Sequence, residues 1–278
     1  MRVELAPDFG LNVELSGSGA PLVLLHGFTG SSQAWSPLRE LLAERFTLIA
    51  VDIVGHGLSD KPGALDHYLL PQAATDIVQA VEALGFSRCA WLGYSMGGRL
   101  ALRIAADHPE AIECLALIGA SPGLSSADER AARVASDEVL AQNIERDGVE
   151  AFIDYWENIP LFASQRLLPP ERRAAIRAGR VRNTPVGLAT SLRGMGTGTQ
   201  DPLYDRLASL HMPVLALAGE LDTKYTAIAH EMAAAIPGAR ALIVPGAGHA
   251  AHTENPDFCG ETIAAFISSS TTTEGIAP

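Results

Sequence analysis

Ser95 stands at the centre of a Gly-x-Ser-x-Gly pattern that spans residues 93–97. The apolar run 89–92 precedes it and the helical pattern 100–106 follows it, which predicts a strand, a sharp turn and a helix. Glycines fit such a turn because a side chain at either position would collide across it. The turn would present the serine hydroxyl to a ligand, beside the amide of Met96 at the helix N-terminus, so the pattern indicates nucleophilic or base chemistry. Taken alone, the pattern also fits a chance glycine-rich turn.

Two further residues could activate this serine. A serine hydroxyl is a weak nucleophile or base at neutral pH unless an imidazole accepts its proton, and that imidazole needs a carboxylate to fix its tautomer. We assign the first role to His249 and the second to Asp222, because each follows a late apolar run typical of a strand. Asp52 is the rival acid, but it precedes the serine, and the order serine, acid, histidine is that of the α/β-hydrolase fold.

A second glycine-bearing loop, 26–31, directly follows the apolar run 21–25. There the backbone N–H of Phe28 would lie opposite that of Met96, and the two would stabilise an oxygen that gains negative charge. The alternative is an ordinary turn at the end of a strand. Because the loop accompanies the serine motif, we favour the oxyanion hole.

The elements that would hold these residues alternate along the chain. Continuous apolar runs, typical of strands covered on both faces, alternate with helical patterns. This predicts an α/β fold in which a mostly parallel sheet is flanked by helices. The carboxyl ends of parallel strands line one crevice, so Ser95, Asp222 and His249 should meet there.

The region 121–205 breaks this alternation. Its helical segments are separated by Pro, Gly and Asn, and it has no buried strand pattern, which predicts an inserted helical cap. We therefore expect the α/β-hydrolase core at 1–120 and 206–268, and after it a disordered polar tail at 269–278.

Composition narrows the class of protein. With 278 residues and 47% hydrophobic content, the chain can bury a large core, and none of its apolar runs reaches the roughly 18 residues of a membrane-spanning helix. A net charge of −12 argues against nucleic acid or an acidic membrane surface as a partner. Three widely spaced cysteines and no secretion signal at the N-terminus favour a cytoplasmic enzyme without a disulfide framework or a metal site. We expect a monomer or a small homo-oligomer.

The chain resembles the α/β-hydrolase superfamily over its whole length, and its cap is similar to a narrower family within it, the 2-succinyl-6-hydroxy-2,4-cyclohexadiene-1-carboxylate synthases of menaquinone biosynthesis. The superfamily resemblance rests on the motifs at 26–28, 93–98 and 248–249. The narrower one rests on Arg99, directly after the glycines of the serine motif, and on four cap segments, at residues 121–124, 129–133, 154–162 and 191–198.

The narrower resemblance implies a lyase and not a hydrolase. The family's reaction is the elimination of pyruvate from 2-succinyl-5-enolpyruvyl-6-hydroxy-3-cyclohexene-1-carboxylate, without a metal or an organic cofactor. In that reaction Ser95, activated by His249 and Asp222, would act as the base that removes a ring proton. The N–H groups of Phe28 and Met96 would hold the resulting dienolate oxygen.

The same resemblance implies a small tricarboxylate as substrate, and carboxylates call for cations with fork geometry. It aligns Arg99, Arg133 and Arg182 with the family's carboxylate-binding arginines, and Tyr94 and Trp156 with its substrate-lining aromatics. For a single cap arginine, the alternative is a solvated helix face. Two other functions stay open: a serine hydrolase of esters or carbon–carbon bonds that works through an acyl-enzyme, and a non-catalytic receptor for a small ligand.

Overall fold

One mixed sheet forms the centre of residues 1–271, the part of the chain that this computed structural model describes; side chains are described to residue 270. The strands are β1 (Arg2–Ala6), β2 (Phe9–Ser16), β3 (Ala20–Leu25), β4 (Phe46–Val51), β5 (Cys89–Tyr94), β6 (Ile112–Ile118), β7 (Val214–Gly219) and β8 (Arg240–Val244). They hydrogen-bond in the order β1-β2-β4-β3-β5-β6-β7-β8. β1 pairs antiparallel with β2, and β2 with β4, while the remaining pairs are parallel, so the predicted mostly parallel sheet is confirmed.

Helices cover both faces of the sheet. They are α1 (Ser36–Ala43), α2 (Leu70–Ala83), α3 (Met96–Asp107), α4 (Ala127–Trp156), α5 (Pro170–Arg180), α6 (Pro185–Met195), α7 (Thr223–Ala235), α8 (Ala251–Glu254) and α9 (Pro256–Thr271). Helices α2, α3 and α7 pack on one face, and α1 and α9 on the other. Trp91 and Leu92 of β5 point into opposite cores, as expected for a strand buried on both faces. None of the helices in residues 1–271 combines the length and the apolar character that crossing a membrane requires.

Residues 121–205, the region predicted as a cap, contain helices and no strand. Helices α4 and α6 enclose a separate apolar core around Ile144, Ile153 and Leu188. Helix α4 is interrupted at Gly148, whose φ of 86° and ψ of 171° are not helical and are readily adopted only by glycine. Helix α4 therefore consists of two arms joined at this glycine.

The end of the chain differs from the prediction. Helix α9 continues to Thr271, so residues 269–271 are helical and do not belong to a disordered tail. The hydroxyls of Ser269 and Ser270 donate to the carbonyl oxygen of Phe266 at 2.8 Å and 2.9 Å, which lets these polar residues continue the helix. The rest of the predicted tail, 272–278, lies outside the described residues.

Candidate active site

The three residues predicted to act together lie at one edge of the sheet. Ser95 directly follows β5, Asp222 follows β7 and His249 follows β8. These strands belong to one parallel array, so their carboxyl ends face the same crevice. The loop that carries Phe28 follows β3, which pairs with β5 on its other side. The parallel sheet thus brings together residues that are far apart in sequence.

His249 joins the serine to the acid. Its Nδ1 lies 2.8 Å from Oδ2 of Asp222, and its Nε2 lies 3.0 Å from Oγ of Ser95. An ionised carboxylate can only accept a hydrogen bond, so Nδ1 carries the proton and Nε2 accepts from the serine hydroxyl. The His249 side chain is 1% exposed, so bulk water does not compete for these contacts. The arrangement can move a proton from the serine to the imidazole.

Ser95 is held in a strained backbone conformation. Its φ of 51° and ψ of −109° lie where residues other than glycine are rarely found. The backbone around it is too tight for side chains. A Cβ on Gly93 would lie 2.5 Å from the carbonyl oxygen of Gly97, and a Cβ on Gly97 would lie 2.1 Å from that of Leu25. These two contacts explain the glycines of the serine motif.

Phe28 and Met96, the two residues predicted to form an oxyanion hole, lie in the same cavity as the serine. Met96 is the first residue of α3, and the first N–H groups of a helix have no acceptor within the helix. Phe28 lies in a tight turn that is closed by a bond from the N–H of Gly30 to the carbonyl oxygen of Gly27 at 2.9 Å. Phe28 and Met96 line the same cavity as Ser95, as the predicted oxyanion hole requires.

Asp52, the rival acid, has other partners. Its carboxylate accepts from the N–H of Ser32 at 2.6 Å and from the N–H of Leu58 at 2.8 Å. It also accepts from Nδ2 of Asn12 at 2.9 Å. These bonds join the loops that follow β3 and β4, so Asp52 has a structural role beneath the site.

Four of the five residues predicted to bind substrate line one cavity with Ser95: Tyr94, Arg99, Arg133 and Trp156. This cavity, which we call the serine chamber, has a volume of about 100 Å³. A larger cavity of about 430 Å³ lies next to it, and the two share Phe28, Tyr94 and Phe162 as walls. Aromatic side chains therefore separate the two spaces.

Arg99 is a buried cation whose partners are neutral. It donates from Nη1 to Oε1 of Gln200 at 2.9 Å and from Nη2 to the carbonyl oxygen of Met195 at 2.7 Å. In residues 1–270, no carboxylate forms an ion pair with it. Burial lowers the pKa of Arg99 to about 10, so the guanidinium is still charged at neutral pH. The carboxylate of Asp137 acts on Arg99 from a distance and raises its pKa, but it forms its ion pair with Arg133 and not with Arg99. A buried charge without a counter-ion in direct contact is costly, which points to an anionic ligand.

Arg133 reaches the serine chamber from α4, and its side chain is 42% exposed. Its Nε lies 2.8 Å from Oδ1 of Asp137, four residues along the same helix. Burial raises the pKa of Asp137, and Arg133 and, more weakly, Arg99 oppose that effect. Because the ion pair uses Nε, the two Nη groups of Arg133 remain available to an anion in the chamber.

Arg182 departs from the prediction. It is exposed, because α5 ends at Arg180 and residue 182 falls in the turn beyond it. It lines the neighbouring cavity of about 430 Å³ and not the serine chamber. The side chain of Arg180 is only 11% exposed, and its guanidinium lies 5.0 Å from the ring centroid of Phe162, a wall of the chamber. Nη1 of Arg180 is buried and lies 3.7 Å from Oε1 of Glu157, without a hydrogen-bond partner in residues 1–270, and Nη2 donates to Oε1 of Gln165 at 3.4 Å. Both arginines therefore line the neighbouring cavity, Arg180 largely buried beside Phe162 and Arg182 exposed.

Sequence reasoning also missed Phe162 and Tyr225, which both line the serine chamber. A usable signal existed for Arg180, because the apolar Ile176 lies four residues earlier and marks the helix face that lines the neighbouring cavity. Tyr225 carries no such signal beyond its position three residues after Asp222.

Comparison with known proteins places this geometry in a family. Residues 20–256 match the family of the alpha/beta hydrolase fold. A Bacillus subtilis (strain 168) protein, provisionally named 2-succinyl-6-hydroxy-2,4-cyclohexadiene-1-carboxylate synthase, is 44% identical over 89% of this chain and 90% of its own length. An Enterobacter sp. (strain 638) protein with that name is 33% identical over 88% of this chain and 91% of its own length.

A solved structure agrees with the sequence relatives. The structure of MenH from S. aureus superposes with a TM-score of 0.88 at 31% identity, and it covers 94% of this chain and 99% of that one. These matches confirm the predicted fold and the predicted resemblance, and they identify the protein as an enzyme. The chain belongs to the alpha/beta hydrolase family and, within it, to the family of the 2-succinyl-6-hydroxy-2,4-cyclohexadiene-1-carboxylate synthases.

Proposed function

We propose that this enzyme is a carbon–oxygen lyase of menaquinone biosynthesis. It eliminates pyruvate from 2-succinyl-5-enolpyruvyl-6-hydroxy-3-cyclohexene-1-carboxylate and releases 2-succinyl-6-hydroxy-2,4-cyclohexadiene-1-carboxylate. The names of the relatives support the reaction. The observation that carries it is Arg99, a buried guanidinium in the chamber of Ser95 that makes no ion pair within residues 1–270.

Three arginines provide the cations that a tricarboxylate needs. Arg99 and Arg133 lie in the serine chamber, and Arg180 stands behind Phe162 at the wall between the two cavities. Each guanidinium can bind a carboxylate through two parallel hydrogen bonds. Both Arg180 and Arg182 line the neighbouring cavity, and we assign the third role to Arg180 because it is the more buried of the two.

The size of the site adds a condition on binding. A pocket for a ligand of this class measures roughly 300–1,000 Å³, whereas the serine chamber has about 100 Å³. The substrate must therefore extend past the shared wall of Phe28, Tyr94 and Phe162 into the neighbouring cavity, or the cap must open to admit it.

The proposed chemistry uses the contacts of His249. Oγ of Ser95 takes a ring proton from the substrate while its own proton passes to Nε2 of His249, and Asp222 stabilises the imidazolium that results. The electron pair of the broken C–H bond moves into a dienolate, whose oxygen the N–H groups of Phe28 and Met96 hold. The carbon–oxygen bond to the enolpyruvyl group then breaks, the leaving group takes the bonding pair, and the proton held by His249 neutralises it as it becomes pyruvate. No water is consumed.

The alternative is a serine hydrolase of esters or carbon–carbon bonds that forms an acyl-enzyme at Ser95. One structural neighbour, a thermophilic esterase from Thermogutta terrifontis, has a TM-score of 0.86 at 26% identity and covers 98% of this chain and 100% of that one. A neutral ester has no use for a buried guanidinium beside the serine, so Arg99 favours the lyase.

The mass of the ring product distinguishes the two reactions. The substrate is generated in place by the preceding enzyme of the pathway, and the products are analysed by mass spectrometry. Elimination gives pyruvate and a ring product with a new double bond. An acyl-enzyme can form only at a carbonyl, so C–C hydrolysis at the succinyl ketone would consume one water, release succinate and leave the enolpyruvyl group on the ring, and that result would reject the lyase. No turnover of this substrate would also reject the lyase, and acid release from a panel of esters would then favour the hydrolase.

A cytoplasmic location belongs to the same proposal. The three cysteines, Cys89, Cys114 and Cys259, are buried and form no disulfide, which is usual in a reducing compartment. Cell fractionation with an antibody to the chain tests this, and recovery in the secreted fraction would contradict it.

A further inference from the structure

Tyr225 lies next to the imidazole of the active site. It belongs to the first turn of α7, and its N–H donates to Oδ1 of Asp222 at 3.2 Å. Oδ2 of the same carboxylate holds His249 at 2.8 Å. The ring centroids of Tyr225 and His249 are 4.5 Å apart. The acid that orients the imidazole therefore also fixes the position of Tyr225.

The side chain of Tyr225 lines the serine chamber together with Arg99 and Arg133. Its hydroxyl makes no hydrogen bond to any residue in 1–270. Tyr225 is half-buried, and a tyrosine whose ring is packed usually finds a hydrogen-bond partner for its hydroxyl. Within the chamber, a bound ligand can supply that partner.

The charges near Tyr225 fit an anionic ligand. Burial raises the pKa of Tyr225, Arg99 and Arg133 act in the opposite direction, and the carboxylate of Asp222 raises it further. The net effect is a raised pKa, so the phenol stays protonated at neutral pH and can donate. A neutral donor beside two guanidiniums suits an acceptor that carries negative charge.

We propose that Tyr225 is a specificity-determining residue whose hydroxyl donates to the same substrate carboxylate that Arg99 binds. The inference rests on the proposed function for the carboxylate that it names. Gln200 and Met195 already occupy one hydrogen on each Nη group of Arg99, whereas a carboxylate can accept about four hydrogen bonds. Tyr225 supplies a further donor on the side of the chamber next to His249.

This contact would select for a charged ligand. A substrate analogue in which that carboxylate is esterified would leave the guanidinium of Arg99 without its anion and would offer the phenol a weaker acceptor. A site built to hydrogen-bond a polar group discriminates strongly against analogues that lack it. Tyr225 and Arg99 together would therefore exclude neutral esters from the site.

The test compares wild type and Tyr225→Phe in the binding of succinate, measured by isothermal titration calorimetry. Succinate carries carboxylates but no leaving group, so its binding does not depend on turnover. The loss of a hydrogen bond to a charged group should weaken binding about 10-fold, and Arg99→Met should weaken it at least as much. Tyr155→Phe is the matched control on the outside of α4, where Tyr155 is 58% exposed, and it should bind like wild type.

Kinetics provide a second measurement. Tyr225→Phe should raise KM for the enolpyruvyl substrate about 10-fold and change kcat by less than about twofold, since the contact is present before and during the reaction. A fall in kcat with unchanged KM and unchanged succinate affinity would overturn the inference, because Tyr225 would then act on His249.

Two further results decide the matter. Equal succinate affinity in Tyr225→Phe and wild type, or no succinate binding by wild type, would overturn the inference. Weakened succinate binding in Tyr225→Phe, combined with no pyruvate release by wild type, would reject the proposed reaction and leave the carboxylate contact standing.

Discussion

Arg99 donates from Nη1 to Oε1 of Gln200 at 2.9 Å, so a neutral amide from a residue 101 positions away holds this buried guanidinium. The amide nitrogen of Gln200 donates in turn to the carbonyl oxygen of Pro122 at 3.1 Å. These bonds fix the orientation of Arg99 without neutralising its charge. The charge is thereby kept for an anion that enters the serine chamber.

Replacement of Gln200 by glutamate should place a carboxylate of the protein itself against Arg99. The new carboxylate would pair with Arg99 and compete with the carboxylate of the substrate, so KM for pyruvate release should rise about 10-fold or more. Steady-state rates over a range of substrate concentrations measure the effect. Gln142→Glu adds the same charge at an exposed position of α4 and should leave KM near the wild-type value. Equal KM values in the two variants would contradict the role assigned to Arg99.

Arg180 and Arg182 form a matched pair that tests the register of the cap. Arg180→Ala removes a largely buried cation beside Phe162 and should lower kcat/KM by about 10- to 100-fold. Arg182→Ala removes an exposed cation and should change kcat/KM by less than about twofold. Kinetics of pyruvate release with both purified variants decide between the positions. The opposite ranking would restore Arg182 as the carboxylate-binding residue.

His252 should make the stability of the protein depend on pH. Burial and the neighbouring His249 lower the pKa of His252 to about 3, so the native state binds fewer protons than the unfolded chain once the pH falls below the ordinary value of 6.5. The stability that neutral His252 provides is therefore complete above pH 6.5 and is lost as the pH falls toward 3. Its share of the loss at pH 5 is about 2 kcal/mol.

Urea unfolding at pH 7 and pH 5 measures this loss. His252→Phe keeps a ring against Tyr94 and Trp35 and should show a smaller fall in the free energy of unfolding between the two pH values. His230→Phe changes an exposed histidine of α7. Its free energy of unfolding should fall between pH 7 and pH 5 by as much as that of wild type. An identical fall in His252→Phe and wild type would contradict the assigned origin of the pH dependence.

Gly148 and Gly179 should respond oppositely to alanine. Neither has an atom within 4 Å of an added Cβ, so packing does not decide the outcome. Gly148 has a φ of +86°, and Gly148→Ala should lower the free energy of unfolding by about 1–2 kcal/mol. Gly179 is helical within α5, and Gly179→Ala should raise the free energy of unfolding by up to about 1 kcal/mol. Urea denaturation measures both changes. An unchanged or higher free energy of unfolding in Gly148→Ala would show that the interruption of α4 does not need a glycine.

The core of the fold was predictable from sequence for a physical reason. A strand covered on both faces must be apolar at every position, and such runs are short, continuous and easily found, as in β3 and β7. Parallel strands end at one edge, so residues that follow different strands could be placed in one site without knowledge of side-chain contacts. The close approach of His249 to Ser95 follows from that placement.

The cap was harder to predict because its contacts are not periodic along the chain. Arg177, Arg180 and Arg182 lie within six residues, and the end of α5 decides which of them faces the site. Arg177 pairs with Asp154 and Glu157, Arg180 turns inward, and Arg182 lies beyond the helix. Helix ends are set by tertiary packing as much as by local residue preference, so the sequence, which has no cap signal here, did not show that Arg180 is the more buried of the two arginines.

The central claim is that Ser95 acts as the base in the elimination of pyruvate, and the most direct test is the rate of pyruvate release by wild type and Ser95→Ala, with substrate generated in place. The account predicts rapid release by wild type and a loss of about 10³-fold in kcat for Ser95→Ala, while succinate affinity is retained. No acceleration by wild type over the enzyme-free background, or full activity in Ser95→Ala, would contradict it.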